Sequence, residues 1–442
     1  MTQLHTYLLQ FLLNSPEKET EIVPKIAYSS HEKEFGNYAV VIQASDFFTK
    51  NYGSKNSLPS LPLPAIEGMP FLYGKAEIEK RGNTIIIHAD LLASAFVLLS
   101  RYEEWVQPNC RDEHGRFPAQ HSIAYKSGFL HRPIIDEYGA LLRRCLREAG
   151  IEVAEPAQKI NALYLTHDVD FLTRYGSLRG VCSAMWRSVL HCKNEITPAL
   201  ESLKNPRNDP FFTFPWILQK NTELQNRLPH TNVETIMFLK SKKYCNRRDR
   251  PFYRLVSRAA RQLISLLQHA NATIGLHASY TAGENPALIA GEKQKLERAC
   301  KTHITCNRNH FLRSQNPVDM DYLLPSGILH DFTVGFADCA GFRLSTCRPV
   351  RYISVETKEV SDLLLHPLLI MDCSLSDERY MNLNENEAFE YAAQLIERVQ
   401  KHNGEIVLLW HNHVFAATEK YNHTELYTKI LDYIAKVYTI TN

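Results

Sequence analysis

Two rhythms of apolar and polar positions divide the chain. Before about residue 155 the apolar runs are short and of extended type, Tyr38–Ala44 and Thr84–His88, with the proline-punctuated stretch Leu58–Pro64 between them. A helical pattern follows, in which Leu91, Leu92, Ala95, Phe96, Leu98 and Leu99 recur at the spacing of one helix face. Asp90 stands just before it, where a carboxylate accepts the orphan amides of a first turn. Glu137–Ala149 predicts a second helix closed by Gly150, and Tyr7–Leu13 predicts an amphipathic helix near the start. Glu152–Gln158, which contains Pro156, reads as a linker. The expected division is a smaller α+β domain over 1–157 and a second domain over 158–442.

From Asn161 onward β-rich runs alternate with longer helical ones. The expected strands are Ala162–Thr166, Glu234–Leu239, Thr273–His277, His303–Asn307, Leu368–Asp372 and Glu405–Trp410. The expected helices include Tyr253–His269, Pro286–Cys300 and Glu385–His402. Alternation of this kind implies a parallel sheet with crossover helices. In parallel α/β barrels the chemistry sits at the C-terminal ends of the strands. Polar clusters stand at or just beyond the ends of four of these runs.

The first cluster ends the run Leu163-Tyr-Leu-Thr-His-Asp-Val-Asp170. Two carboxylates one residue apart can hold a cation and act as a base. They can equally be a helix cap and a loop acid, or the Asp-x-Asp by which glycosyltransferases hold a metal and a nucleotide diphosphate. The second is Thr273-Ile-Gly-Leu-His-Ala-Ser-Tyr280, where His277 is a ligand or a structural histidine and Gly275 permits close backbone approach. The third is Cys306-Asn-Arg-Asn-His-Phe-Leu-Arg313, in which Arg308 can orient a carboxylate and His310 can ligate metal, unless the segment is a plain basic turn. The fourth is Val407-Leu-Leu-Trp-His-Asn-His413, where His411 is a proton donor or a capping histidine. The chain is expected to turn at Asn412 and leave His413 outside the site. One aspartate with two imidazoles is a zinc-type ligand set that leaves room for a water. A neighbouring carboxylate and histidine supply base and acid.

Composition narrows the function class. The 442 residues are 44% hydrophobic and 22% charged, an ordinary globular balance. With 50 Lys+Arg against 48 Asp+Glu, the chain lacks the basic excess of a nucleic-acid binder. Its one basic run, Lys240, Lys242, Lys243, Arg247, Arg248 and Arg250, reads as a solvated loop. Ten cysteines without C-x-x-C spacing fit reduced thiols in a cytoplasm. No secretory signal and no transmembrane segment is expected, and the oligomeric state is left open.

The order of the four clusters resembles the polysaccharide deacetylase family, carbohydrate esterase family four, over about residues 161–442. The resemblance implies a distorted (β/α) barrel that removes acetyl groups, N-linked above all, from an acetylated sugar or polysaccharide with a divalent metal, Zn2+ by preference. The family's first motif, Thr-Phe-Asp-Asp, is similar to Thr166-His-Asp-Val-Asp170, which implies Asp168 as catalytic base and Asp170 as metal ligand. His-x-x-x-His is matched by His277 at its first position, with Thr281 at its second. Arg-x-Pro-Phe/Tyr resembles Arg308-Asn-His-Phe311, which implies Arg308 as the base's partner and brings His310 forward to fill the vacancy left at Thr281. Asp170, His277 and His310 should then lie within roughly 3–5 Å of one another. Leu-x-His resembles Leu409-Trp-His411, which implies His411 as catalytic acid, and a fourth motif would fall in Asp331–Arg343. The first 157 residues, with Ser100-Arg-Tyr-Glu-Glu-Trp105, resemble an uncharacterised domain that precedes such barrels in other bacterial proteins. The rival functions are a non-catalytic carbohydrate-binding relative on a degenerate barrel and a glycosyltransferase using the Asp-x-Asp pair.

Overall fold

The computed structural model describes every residue except 1, 16–18, 177, 192–194, 242–245, 418–421 and 442. Lys242, Lys243, Cys192 and Cys245 therefore lie outside the described residues, and the other eight cysteines are free thiols.

Among the described residues the N-terminal region carries six strands: β1 (Ile26–Ser29), β2 (Val40–Gln43), β3 (Ala65–Ile66), β4 (Met69–Pro70), β5 (Gly74–Arg81) and β6 (Thr84–Ala89). Four of them form a sheet in the order β1-β2-β6-β5, parallel except for β5, and β3 pairs with β4 alone. Helices Gln3–Leu13, Leu91–Leu99 and Ile134–Glu148 cover it. Leu91–Leu99 is buried along its whole length, so its sequence, apolar all round but for Ser94, marks a core helix rather than a surface one.

Asp90 caps that helix by accepting from the Ala93 amide, and it also accepts from the Ser45 amide, the Ser45 hydroxyl and the Tyr28 hydroxyl. It is fully buried, and burial raises its pKa against those four donors. Asp90→Ala should cost about 3 kcal/mol or more, because a lost cap and several unpaired buried donors add. Chemical denaturation would read it.

Nine further strands form the large sheet: β7 (Ala162–Val169), β8 (Asn232–Leu239), β9 (Thr273–Ala278), β10 (Cys306–Asn309), β11 (His330–Asp331), β12 (Val350–Ile353), β13 (Val360–Leu365), β14 (Ile370–Met371) and β15 (Glu405–Leu409). Their order is β12-β13-β11-β10-β9-β8-β7-β15-β14, parallel except where β12 meets β13. The sheet is curled. The residues between β13 and β14 bond to both flanks, Leu368 to the Val334 carbonyl and Leu369 to that of Val407, which draws its edges together. Its concave side is filled by Ile236, Phe238, Phe332, Leu368, Val407 and Leu409. Strand alternation turns Tyr164, Thr166 and Asp168 of β7 to that side, while Leu163, Leu165 and Val169 join the main core.

The structure shifts two expected strands. The run at His303–Asn307 becomes strand only from Cys306, and Leu368–Asp372 keeps only Ile370 and Met371. No helix among the described residues is long and apolar enough to cross a membrane.

Candidate metal centre and catalytic cleft

The register of neighbouring strands sets the site. His277 on β9 is paired with Arg308 on β10, and Asp168 on β7 with Phe238 on β8. Gly275, one inward position before His277, leaves room for the Phe238 ring, which a Cβ there would meet at 2.5 Å. Phe238 in turn lies 4.6 Å from the Arg308 guanidinium. The buried Arg308 Nη1 donates to Thr166 Oγ1 at 2.7 Å and to Asp168 Oδ1 at 3.2 Å. Arg308 thus fixes the Asp168 carboxylate, and only Asp168 among the two first-motif acids has this partner among the described contacts.

Asp170 faces the histidines. Its Oδ1 lies 3.4 Å from His277 Nε2 and 3.2 Å from His310 Nε2, and ligating atoms of all three residues fall within 4.8 Å of one another. Both imidazoles are oriented from behind. His277 Nδ1 lies 3.0 Å from the Arg308 carbonyl, which can only accept, so Nδ1 donates there and Nε2 is the nitrogen turned toward Asp170. His310 Nδ1 lies 2.8 Å from Asp249 Oδ1, a carboxylate behind a ligating histidine in the manner of metal sites. Asp170 Oδ1 and His277 Nε2 are buried, and neither makes a hydrogen bond among the described residues. Asp170 Oδ1 is thus held by ion-pair contacts alone and His277 Nε2 has no hydrogen-bond partner, and one carboxylate with two imidazoles converging on a point is a donor set that fits a divalent metal with an open position.

A second cation stands close by. Lys240, at the exit of β8, is buried, and its Nζ lies 3.2 Å from Asp170 Oδ1. This corrects the solvated-loop reading for that residue. The Lys240 amide donates to the Tyr253 hydroxyl at 2.7 Å, which ties the segment inward. Burial opposes the Asp170 charge, yet Lys240 and His310 hold its carboxyl well below the usual carboxylate range. Burial likewise opposes charge on His310, but Asp170 and Asp249 raise its pKa on balance. A metal entering here would displace that proton.

On the other side His411 leaves β15 beside Asp372, because the register Met371–Leu409 brings the ends of β14 and β15 together. The His411 amide donates to Asp372 Oδ2 at 2.8 Å, and His411 Nδ1 lies 2.9 Å from Asp372 Oδ1. Burial works against the imidazolium, but the buried Asp372 carboxylate raises the His411 pKa well above its ordinary value. His411 Nε2 is 3.7 Å from Asp170 Oδ2. Cys373 is close to the same ring, but burial lifts its thiol to about 11, so it is no thiolate at neutral pH.

Four of the candidate site residues open onto one cleft of about 350 Å³, within the range of small-ligand sites. Asp168, Asp170, His310 and His411 open onto it with Arg116, Phe171 and Tyr380. His413 lines it too, which corrects its expected place outside. The chain does turn, in a 3₁₀ segment at Asn412–Phe415, but the His413 ring packs 4.8 Å from Phe171 on the cleft wall. Asp372 and Asp249 escape the sequence reading. Asp372 carries the same signal as Asp168, an acid closing an apolar run, whereas Asp249 sits among arginines and shows none.

Three comparisons bear on the chain. Residues 1–150 match a family model described as a family of unknown function, DUF7033. No curated protein matches. Among solved structures, the "putative polysaccharide deacetylase from Mycobacterium smegmatis" aligns over 65% of this chain and 87% of its own, at 15% identity and a TM-score of 0.38.

Proposed function

We propose that the protein is a metal-dependent hydrolase that removes an acetyl group, N-linked above all, from a sugar or polysaccharide intermediate, on a barrel of the polysaccharide deacetylase type. The observation that carries this reading is the convergence of Asp170, His277 and His310 on one point, flanked by an arginine-held carboxylate and a carboxylate-held imidazole. A bound Zn2+ supplies Lewis acidity to the acetyl carbonyl and lowers the pKa of a water from 15.7 toward about 7. Asp168, held by Arg308, takes the proton of the attacking water. His411, kept charged by Asp372, gives a proton to the departing sugar nitrogen. Together these steps add water across the C–N bond, releasing acetate and the free amine.

Purified protein should hold close to one equivalent of divalent metal and release acetate from some member of a panel of N-acetylated sugars. A chelator should stop that release, and added Zn2+ should restore it. Absence of both metal and acetate release would overturn the reading.

One observation favours a second reading, a non-catalytic carbohydrate-binding relative. The Lys240 ammonium already neutralises Asp170, and a cation fixed there competes with a metal. That reading predicts sugar binding without metal and no acetate release.

A further inference from the structure

The segment that follows His310 has an unusual backbone. Phe311 and Leu312 are consecutive non-glycine residues in the left-handed region, at φ 63° and 53°. Such conformations are costly for residues with a side chain and persist only where the surroundings over-determine them. Here much of that hold comes from the N-terminal region. Arg116 Nη1 donates to the Phe311 carbonyl at 3.2 Å. Arg313 Nε donates to the His114 carbonyl at 2.8 Å, and the His114 ring packs 4.6 Å from that of Phe311. Arg101 bonds to the Ser314 hydroxyl at 3.0 Å, and Arg111 reaches the Gln315 carbonyl at 2.7 Å. Phe311, Arg313, Ser314 and Gln315 are thus each gripped from the sequence between 101 and 116.

Arg116 is the arm of this grip that reaches the cleft. Asp112 fixes its guanidinium, through Nε at 2.7 Å. Its Nη2 spans to the Tyr380 hydroxyl at 3.2 Å, so one planar fork ties Phe311 to Tyr380 across the wall that also carries His310. A fork of donors with fixed geometry does this where a flexible ammonium cannot.

We propose that the N-terminal region, which matches a family of unknown function, serves as a clamp that completes the candidate metal centre: its turn 112–116, through Arg116, positions the segment bearing His310 and builds one wall of the cleft. The proposal rests on the metal-centre reading given above. Arg116 is a positioning residue. It acts on His310 through the Phe311 backbone, as partners behind a ligand act on metal affinity.

The test uses the full chain and Co2+ alone, whose visible absorption reports its coordination. Arg116→Met should weaken Co2+ binding about ten- to a hundred-fold, the range for losing an outer-shell partner, and change the absorption band. Arg144→Met, in the same region but paired with Glu67 away from the segment, should leave both unchanged. Amide exchange of peptides spanning 306–316, followed without metal, should quicken in Arg116→Met and not in Arg144→Met. If Arg116→Met does not fold by circular dichroism, Arg116→Lys carries the same test, because it keeps a cation beside Asp112 and loses the fork. Equal Co2+ affinity and band shape in wild type and the Arg116 variant would overturn the inference, as would unchanged exchange. If wild type itself takes no Co2+, the metal-centre reading falls, while the exchange comparison still decides whether the clamp exists.

Discussion

Asp168→Asn should abolish acetate release while the protein still takes up its metal, whereas Asp170→Asn should lose both. The two carboxylates stand one residue apart on one strand exit, yet their surroundings divide their work. Asp168 is buried against Arg308, which donates to it at 3.2 Å and leaves its other oxygen on the cleft side. Asparagine there keeps the shape and the arginine contact but cannot accept a proton, and loss of a general base costs roughly a hundred- to ten-thousand-fold in rate. Asp170 has no arginine among its described contacts and faces two imidazole nitrogens and Lys240 instead. Replacing it removes the only negative charge among the three candidate ligands. Metal content by mass spectrometry after dialysis, measured beside acetate release, separates the two effects. Equal metal loss in both variants would sink this division. Asp170→Asn also leaves Lys240 and His310 facing each other with their shared carboxylate neutralised, so its thermal stability should fall more than that of Asp168→Asn.

How far the site is legible in the sequence depends on what lies behind each residue. Asp168, Asp170, His277 and His411 stand at the ends of long apolar runs, where strand periodicity alone places them at one rim of a parallel sheet. Arg308 is harder, because β10 is only four residues long. Its orientation toward Asp168 depends on Phe238 beneath it and on the room that Gly275 leaves. His310 lies beyond the end of β10, and its direction is set by Asp249, 61 residues away in sequence, and by the left-handed turn after it. Asp372 closes the apolar run Leu368–Met371 as Asp168 closes its own, but only Ile370 and Met371 of that run are strand. Lys240 defeats composition outright. It follows the apolar run Glu234–Leu239 but opens a stretch of polar and basic residues, and the hydrogen bond from its amide to the Tyr253 hydroxyl and its burial are long-range facts. The β12–β13 pair likewise leaves little trace, since its strands are flanked by loops and carry charged residues such as Arg351 and Asp362 that pair across it. Short-range pattern thus reports the rim, and long-range partners decide which rim residues face one another.

The acid half of the site should show itself in the pH dependence of turnover. His411 donates a proton only while charged, so activity that depends on it is present below the His411 pKa and is lost as pH rises through that value. Burial alone would lower the pKa and put the loss on the acid side of neutrality. Asp372 reverses this by placing a buried carboxylate 2.9 Å from Nδ1, and the balance is a pKa well above 6.5. Wild type should therefore keep its rate through neutral pH and lose it on a basic limb. Asp372→Asn removes the charge but keeps a group that can accept from Nδ1 and from the His411 amide. Burial then dominates, so the limb should move to lower pH and the rate at and above neutral pH should fall. His411→Ala should lose the limb altogether with most of the rate. The metal readout guards against a trivial cause: Asp372, Cys373 and His411 form a separate group that could itself hold a cation, and with the metal at Asp170, His277 and His310 both variants should hold it as wild type does. A profile unchanged in Asp372→Asn would mean that His411 is a structural cap on β15 and that the proton for the leaving nitrogen comes from elsewhere. His413 is the nearest alternative on the cleft wall, but burial lowers its pKa to about 4, which leaves it uncharged where His411 is charged.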